Sequence, residues 1–168
     1  MKESGLTLLE VLITVTIIMV LASAAMPISQ IAMKRTREIE LHQDLRTMRA
    51  AIDAFRAEWI RDGDVLQGPL CIKNKLTCKE VSGISGYPKS LDVLLKVTLT
   101  GAESTVKGES VKRYLRRIPL DPFSGKVDWS LRCYTDPPNV SSWCGEDIFD
   151  VSSSSPDVAL DGSKYRDW

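Results

Sequence analysis

Glu10 is the only charged residue between Glu3 and Lys34 in this chain, and it sits at the head of a long apolar run. A carboxylate at membrane depth is expensive and is retained where a partner or a function compensates it. Glu10 lies four residues after Leu6. A cut after Gly5 would therefore place one carboxylate and one new α-ammonium a single helical turn apart, which is ion-pair chemistry rather than catalysis. Two other groups could do chemistry: the cysteines Cys71, Cys78, Cys133 and Cys144, and a C-terminal tail from Asp150 to Trp168 rich in carboxylates and hydroxyls. Little points to an enzyme. There is one histidine, no Gly-rich phosphate loop, no nucleophile elbow and no pair of metal ligands at helical spacing.

The elements that must position these groups begin with the apolar run itself. Counted from Leu6 to Met33, it is long enough to cross a hydrocarbon core of about 30 Å at about 1.5 Å per residue. A secretory signal peptide is the simplest rival, with Lys2 as its charged region and Ala22-Ser23-Ala24 as the cleavage site. Glu10 interrupts its apolar region, however, and Glu3 offsets Lys2. A plain signal anchor accounts for the length but not for the order Gly-Leu-Thr-Leu-Leu-Glu.

Past Pro27 the helical pattern continues. Leu41, Leu45, Met48, Ile52, Phe55 and Trp59 recur at steps of four and three, which places them on one stripe of a helix ending near Asp62-Gly63. A stripe of this kind is core rather than a cofactor site. Between Lys34 and Glu40 only Ile39 is apolar, so this part of the helix is expected to project from the head and the later part to pack on it. Pro27 is expected to kink the helix or leave a local melt. His42 lies in a polar stretch and reads as a solvated surface residue.

After Asp64 the character changes. Gln67 to Cys78 reads as an irregular loop pinned by two cysteines, and Tyr87-Pro88-Lys89-Ser90 leads into a short helix over Leu91 to Lys96. The stretch 101–110 reads as polar and mobile. Val127 to Tyr134 alternates as a strand does, and Ile148 to Ser152 is its candidate partner. The predicted fold class is α+β: a long N-terminal helix, half transmembrane and half amphipathic, packed on a small antiparallel sheet. The predicted organisation is a leader over 1–5, a membrane and assembly helix over 6–27, an amphipathic helix over 28–62 and a globular head over 63–168. With 22 basic and 22 acidic residues the chain has no basic excess that would point to nucleic acid.

Four cysteines permit three pairings. The short separations favour Cys71 with Cys78 and Cys133 with Cys144. Zinc is the rival, but there is no C-x-x-C spacing and no histidine near any cysteine. Disulfides require an oxidising compartment and place the head outside the cytoplasm. Lys34, Arg35 and Arg37 then fall on the outer side of the membrane segment, against the positive-inside tendency. Asn139-Val140-Ser141 is a glycosylation sequon by pattern alone.

Gly5-Leu6-Thr7-Leu8-Leu9-Glu10, with Pro27 closing the apolar segment, resembles the N-terminus of the type IV pilin and type II secretion pseudopilin superfamily. The resemblance implies cleavage after Gly5 by a prepilin peptidase, N-methylation of the new terminus at Leu6, and an assembly helix carrying Leu6, Glu10 and Pro27. The family usually has Phe or Met where this chain has Leu6. Tyr87-Pro88, Arg116-Arg117-Ile118-Pro119-Leu120-Asp121-Pro122 and Ser155-Pro156-Asp157 through Trp168 are similar, in that order, to the G-type major pseudopilin. The segments 63–86 and 133–144 depart from that pattern.

What the resemblance implies is a structural subunit. It would be a homo-oligomer in a helical filament, working with an inner-membrane secretion or pilus assembly platform and minor pseudopilins, anchored once in the bacterial inner membrane with its head in the periplasm. The same resemblance implies calcium in the C-terminal loop. Hard cations take six to eight oxygen donors, and Asp157 matches the family's carboxylate, with Asp161 and Asp167 as further candidates. The family's later adjacent acidic pair is absent here. The alternative is a surface loop closed by Tyr165 and Trp168 packing on the head.

Overall fold

The computed structural model describes residues 7–100, 110–137 and 142–168, with no side chains described at positions 24 and 25. Gly5, Leu6, the 101–109 stretch and the Asn139 sequon lie outside the described residues.

Helix α1 (Leu8–Trp59) is one helix of 52 residues, about 80 Å long at about 1.5 Å per residue. Thr7 caps it, its Oγ1 accepting the Glu10 N–H at 3.3 Å. The helix passes through Pro27 unbroken, so the expected melt is absent. A proline deletes one rung of the hydrogen-bond ladder, and the rungs on either side persist. Leu12, Ile18, Leu21 and Ile28 in the first half are 61–67 % exposed. The helix is long and apolar enough to cross a membrane.

The second half is buried along the predicted stripe. Leu41, Leu45, Met48, Ile52, Phe55 and Trp59 are all at most 1 % exposed, and each such side chain contributes about 1.5–3 kcal/mol by leaving water. α1 ends at Trp59 rather than near Asp62 because the chain reverses there. Strand β1 (Arg61–Asp62) pairs antiparallel with β2 (Val65–Leu66), and Gly63 between them takes φ +55, a conformation that glycine reaches without steric cost.

Gln67 to Cys78 is not an irregular loop. It forms α2 (Pro69–Lys73) and α3 (Lys75–Val81), joined by the Cys71–Cys78 disulfide. Pro69 stands in the first turn of α2, where its preset φ suits a helix and its missing N–H removes no bond. Both cysteines are fully buried in the core. A Cβ at Gly68 would lie 2.3 Å from the Glu58 carbonyl oxygen, so this position must be glycine for α2 to sit so close to the end of α1.

α4 (Leu91–Leu95) follows as predicted. Among the described residues the single small sheet is instead three separate two-stranded ladders: β1 with β2, β3 (Val97–Leu99) with β4 (Ser110–Lys112), and β5 (Trp129–Arg132) with β6 (Asp150–Ser153). Ser110, read as part of a mobile stretch, lies in β4. In the last ladder Trp129 pairs with Ser153 and Leu131 with Val151, which turns Trp129 and Val151 into the core. A 3₁₀ turn, Tyr165–Asp167, closes the chain.

Candidate functional site

The N-terminal end of α1 presents Glu10 in the first turn. Thr7 and Glu10 have the Ser/Thr-x-x-Glu spacing of a capping box, in which the Glu side chain would return to the cap N–H. Here only the Thr7 half is made. Among the described residues the Glu10 carboxylate has no hydrogen bond or ion pair, and it is exposed. A carboxylate in the first turn is favoured by the helix dipole, and it is open to a cation from outside the chain.

The second site is where α1 holds the C-terminal loop, and Lys34 and Glu38 do not project freely as expected. The Lys34 ammonium donates to the Val158 carbonyl at 2.6 Å. Glu38 Oε1 accepts from the Leu160 N–H at 2.8 Å and from the Tyr165 hydroxyl at 2.9 Å. One turn further on, the His42 ring lies flat on Trp168, centroids 4.0 Å apart. Arg49 then donates from Nε to Asp150 Oδ1 at 2.7 Å and from Nη2 to the Val151 carbonyl at 3.0 Å and to the Trp168 main-chain oxygen. Lys34 and Glu38 extend the Leu41–Leu45–Met48 stripe toward the N-terminus at the same steps of four and three. The helix face is thus continuous, with its apolar contacts replaced by charged ones near the membrane end.

The loop has internal order of its own. The Ala159 N–H donates to the Ser163 carbonyl at 2.7 Å and the Gly162 N–H to the Ala159 carbonyl at 3.1 Å, with Gly162 at φ +90. Tyr165 is fully buried and stacks on Phe123 at 3.9 Å. Burial first, and Glu38 second, push its hydroxyl well above the ordinary phenol range. Beneath it Asp121, fully buried, accepts from the Phe123 N–H at 2.8 Å and the Ser153 hydroxyl at 2.6 Å. Tyr165 and Trp168, ring edge to ring face at 5.0 Å, thus close the loop on the head.

The three candidate calcium ligands are all exposed and are not gathered. Asp161 Oδ1 accepts from the Ser163 N–H at 2.8 Å and its hydroxyl at 2.6 Å, and these bonds hold its carboxyl below the usual range. Asp167 lies 3.7 Å from Arg166. Asp157 lines a cavity with Lys34 and Arg37. Among the described residues the one trio of candidate ligands within 4.8 Å of each other is Cys133, Asp136 and Cys144, whose two sulfurs are joined to each other. As folded, then, Asp157, Asp161 and Asp167 do not fit one calcium shell, and Lys34 places an ammonium on a loop carbonyl instead.

The second disulfide, Cys133–Cys144, closes the loop beside Asp147. Burial raises the Asp147 carboxyl, with Glu146 and Asp136 adding to the effect and the Tyr134 N–H, bound at 3.0 Å, opposing it. At the other end of α1 the Tyr114 hydroxyl donates to Glu58 and accepts from Trp59 Nε1 at 2.8 Å, while Lys112 pairs with Glu58 at 2.7 Å. This cluster ties β4 to the helix end and reads as structural.

No curated protein and no solved structure matches the chain. Residues 1–26 match the model of the prokaryotic N-terminal methylation motif, the signature of type IV pilins and pseudopilins, so the apolar helix with Glu10 in its first turn is a pilin-like N-terminal segment suited to a single-pass inner-membrane anchor.

Proposed function

We propose that this protein is a structural subunit of a type II secretion pseudopilus, most like its G-type major component, and that many copies pack their N-terminal helices into a helical filament that drives protein export. The observation that carries this reading is Glu10: exposed and, among the described residues, without a partner, in the first turn of a helix whose described apolar side chains are exposed along its first half. Prepilin peptidase cuts after Gly5, Leu6 is N-methylated, and the head stands in the periplasm, where the two disulfides are stable. In the low-dielectric filament core Glu10 compensates the Leu6 α-ammonium of a neighbouring copy, since a buried charge needs a partner. The inner-membrane assembly platform and minor pseudopilins are the remaining partners.

Glu10→Ala should leave membrane insertion and cleavage intact and abolish filaments on electron micrographs of the overexpressed protein. Normal filaments from this variant would sink the reading. A type IV pilin or a minor tip pseudopilin shares the same segment and differs in filament abundance and adhesion. A membrane-anchored periplasmic binding domain that never polymerises is the reading from another class, and an intact Met1 on N-terminal mass analysis would favour it.

A further inference from the structure

A cavity of about 490 Å³ opens at the neck, where α1 leaves the head, lined by Gln30, Lys34, Arg37, Phe123, Asp157 and Tyr165 among others. Lys34 lies 26 residues beyond Leu8, about 40 Å along the helix. A bilayer with its headgroups is about 40–45 Å thick. With the apolar half of α1 inserted, the cavity stands at the phosphate level of the far leaflet.

Its lining is not simply basic. Two cations and one carboxylate face the same space, and no ion pair within 4.0 Å joins Asp157 to Lys34 or Arg37. Among the described residues neither the Arg37 guanidinium nor the Asp157 carboxylate has a hydrogen bond or ion pair, and Lys34 uses one of its ammonium protons, on Val158. Opposite charges held apart around an open space match a molecule carrying both signs. The stacked rings of Phe123 and Tyr165 form one wall. Met33 and Val158, which also line it, are 55 % and 44 % exposed, the mix of apolar and cationic groups that suits the headgroup boundary.

We propose that this cavity binds the headgroup of an aminophospholipid, the phosphate between Lys34 and Arg37 and the primary ammonium on Asp157. Arg and Lys make strong charge-assisted bonds to phosphate, and a carboxylate does the same to a primary ammonium. This assignment gives the cations on the outer side of the membrane segment a partner, and it docks the head on the leaflet until the subunit is withdrawn. It rests on the reading that α1 spans the membrane.

The test uses the full chain reconstituted in phosphatidylcholine bilayers containing equal amounts of phosphatidylethanolamine and phosphatidylglycerol, then released in mild detergent for native mass spectrometry. The wild-type chain should retain phosphatidylethanolamine in preference to the other two lipids. Arg37→Gln and Asp157→Asn should each lower that retention about fivefold, whereas Arg35→Gln, the same charge change at a residue outside the cavity lining, should not. Equal retention of the three lipids, a preference for phosphatidylglycerol, or equal losses from Arg35→Gln and Arg37→Gln would each overturn the site. Carbonate extraction of the reconstituted wild-type chain separates the two readings. A chain that resists extraction but shows no lipid preference loses the headgroup site alone, and one that washes off loses the membrane span and the site with it.

Discussion

Replacing Glu38 with Ala should release the C-terminal loop from α1. Glu38 Oε1 is the acceptor for both the Leu160 N–H and the Tyr165 hydroxyl, and a hydrogen bond to a charged group contributes about 1.5–3 kcal/mol. The two losses differ in kind. Leu160 is 46 % exposed, so its N–H can turn to water and its bond weighs little. Tyr165 is fully buried and held by Phe123 and Trp168, so its hydroxyl is poorly placed to find a new partner. The expected loss is therefore about 2–3 kcal/mol, below the sum of the two upper values. For a head of this size that lowers Tm by roughly 10 °C, measurable by thermal circular dichroism of the full chain in detergent. Glu38→Gln keeps a carbonyl acceptor and should lose about half as much. Hydrogen exchange should localise the change in Glu38→Ala to residues 157–168. A loss under about 0.5 kcal/mol, the ordinary range for a surface change, would refute the claim that α1 holds this loop through Glu38.

Three further outcomes follow from the same contacts. Phe55→Ala removes a fully buried ring between Trp59 and Tyr114 and should cost about 3–5 kcal/mol in urea unfolding. Asp147 binds its proton more tightly in the folded head than in the unfolded chain, so its contribution to stability falls as pH climbs from the ordinary carboxylate range through the raised folded value. Asp147→Asn, which keeps an acceptor for the Tyr134 N–H, should abolish that fall, matching wild type in acid and exceeding it at neutral pH in unfolding curves taken across the range. Calcium or a chelator should leave the melting curve unchanged, because Asp157, Asp161 and Asp167 are not gathered and Lys34 holds Val158; a calcium-dependent rise in Tm would show that the loop rearranges to bind it.

Much of this protein was legible from spacing alone. The six-residue stripe on α1 could be read because apolar periodicity reports burial directly, and all six residues are core. The β5–β6 pairing was legible for the same reason: alternating residues must face in and out. The Gly5 to Glu10 segment is a short local signal, and the methylation-motif match spans residues 1–26.

Only the tertiary structure decided how the polar half of α1 is used. Lys34 and Glu38 look solvated by hydropathy, yet they carry the stripe onward by binding main-chain groups of a loop more than 120 residues away in sequence. A carbonyl or an amide N–H is offered by almost every residue, so no side-chain pattern marks that contact. Gln67 to Cys78 looks like a loop in sequence for a related reason, because two short helices bound to each other by a disulfide are too brief for periodicity to show. The acidic tail is the clearest case: composition determined that carboxylates were present, while the direction of Asp161 and Asp167 depended on where Ser163 and Arg166 came to rest. Sequence sets which groups a chain owns and how its local turns repeat; which of them meet across the fold is decided by packing, and here it placed an ammonium on the Val158 carbonyl.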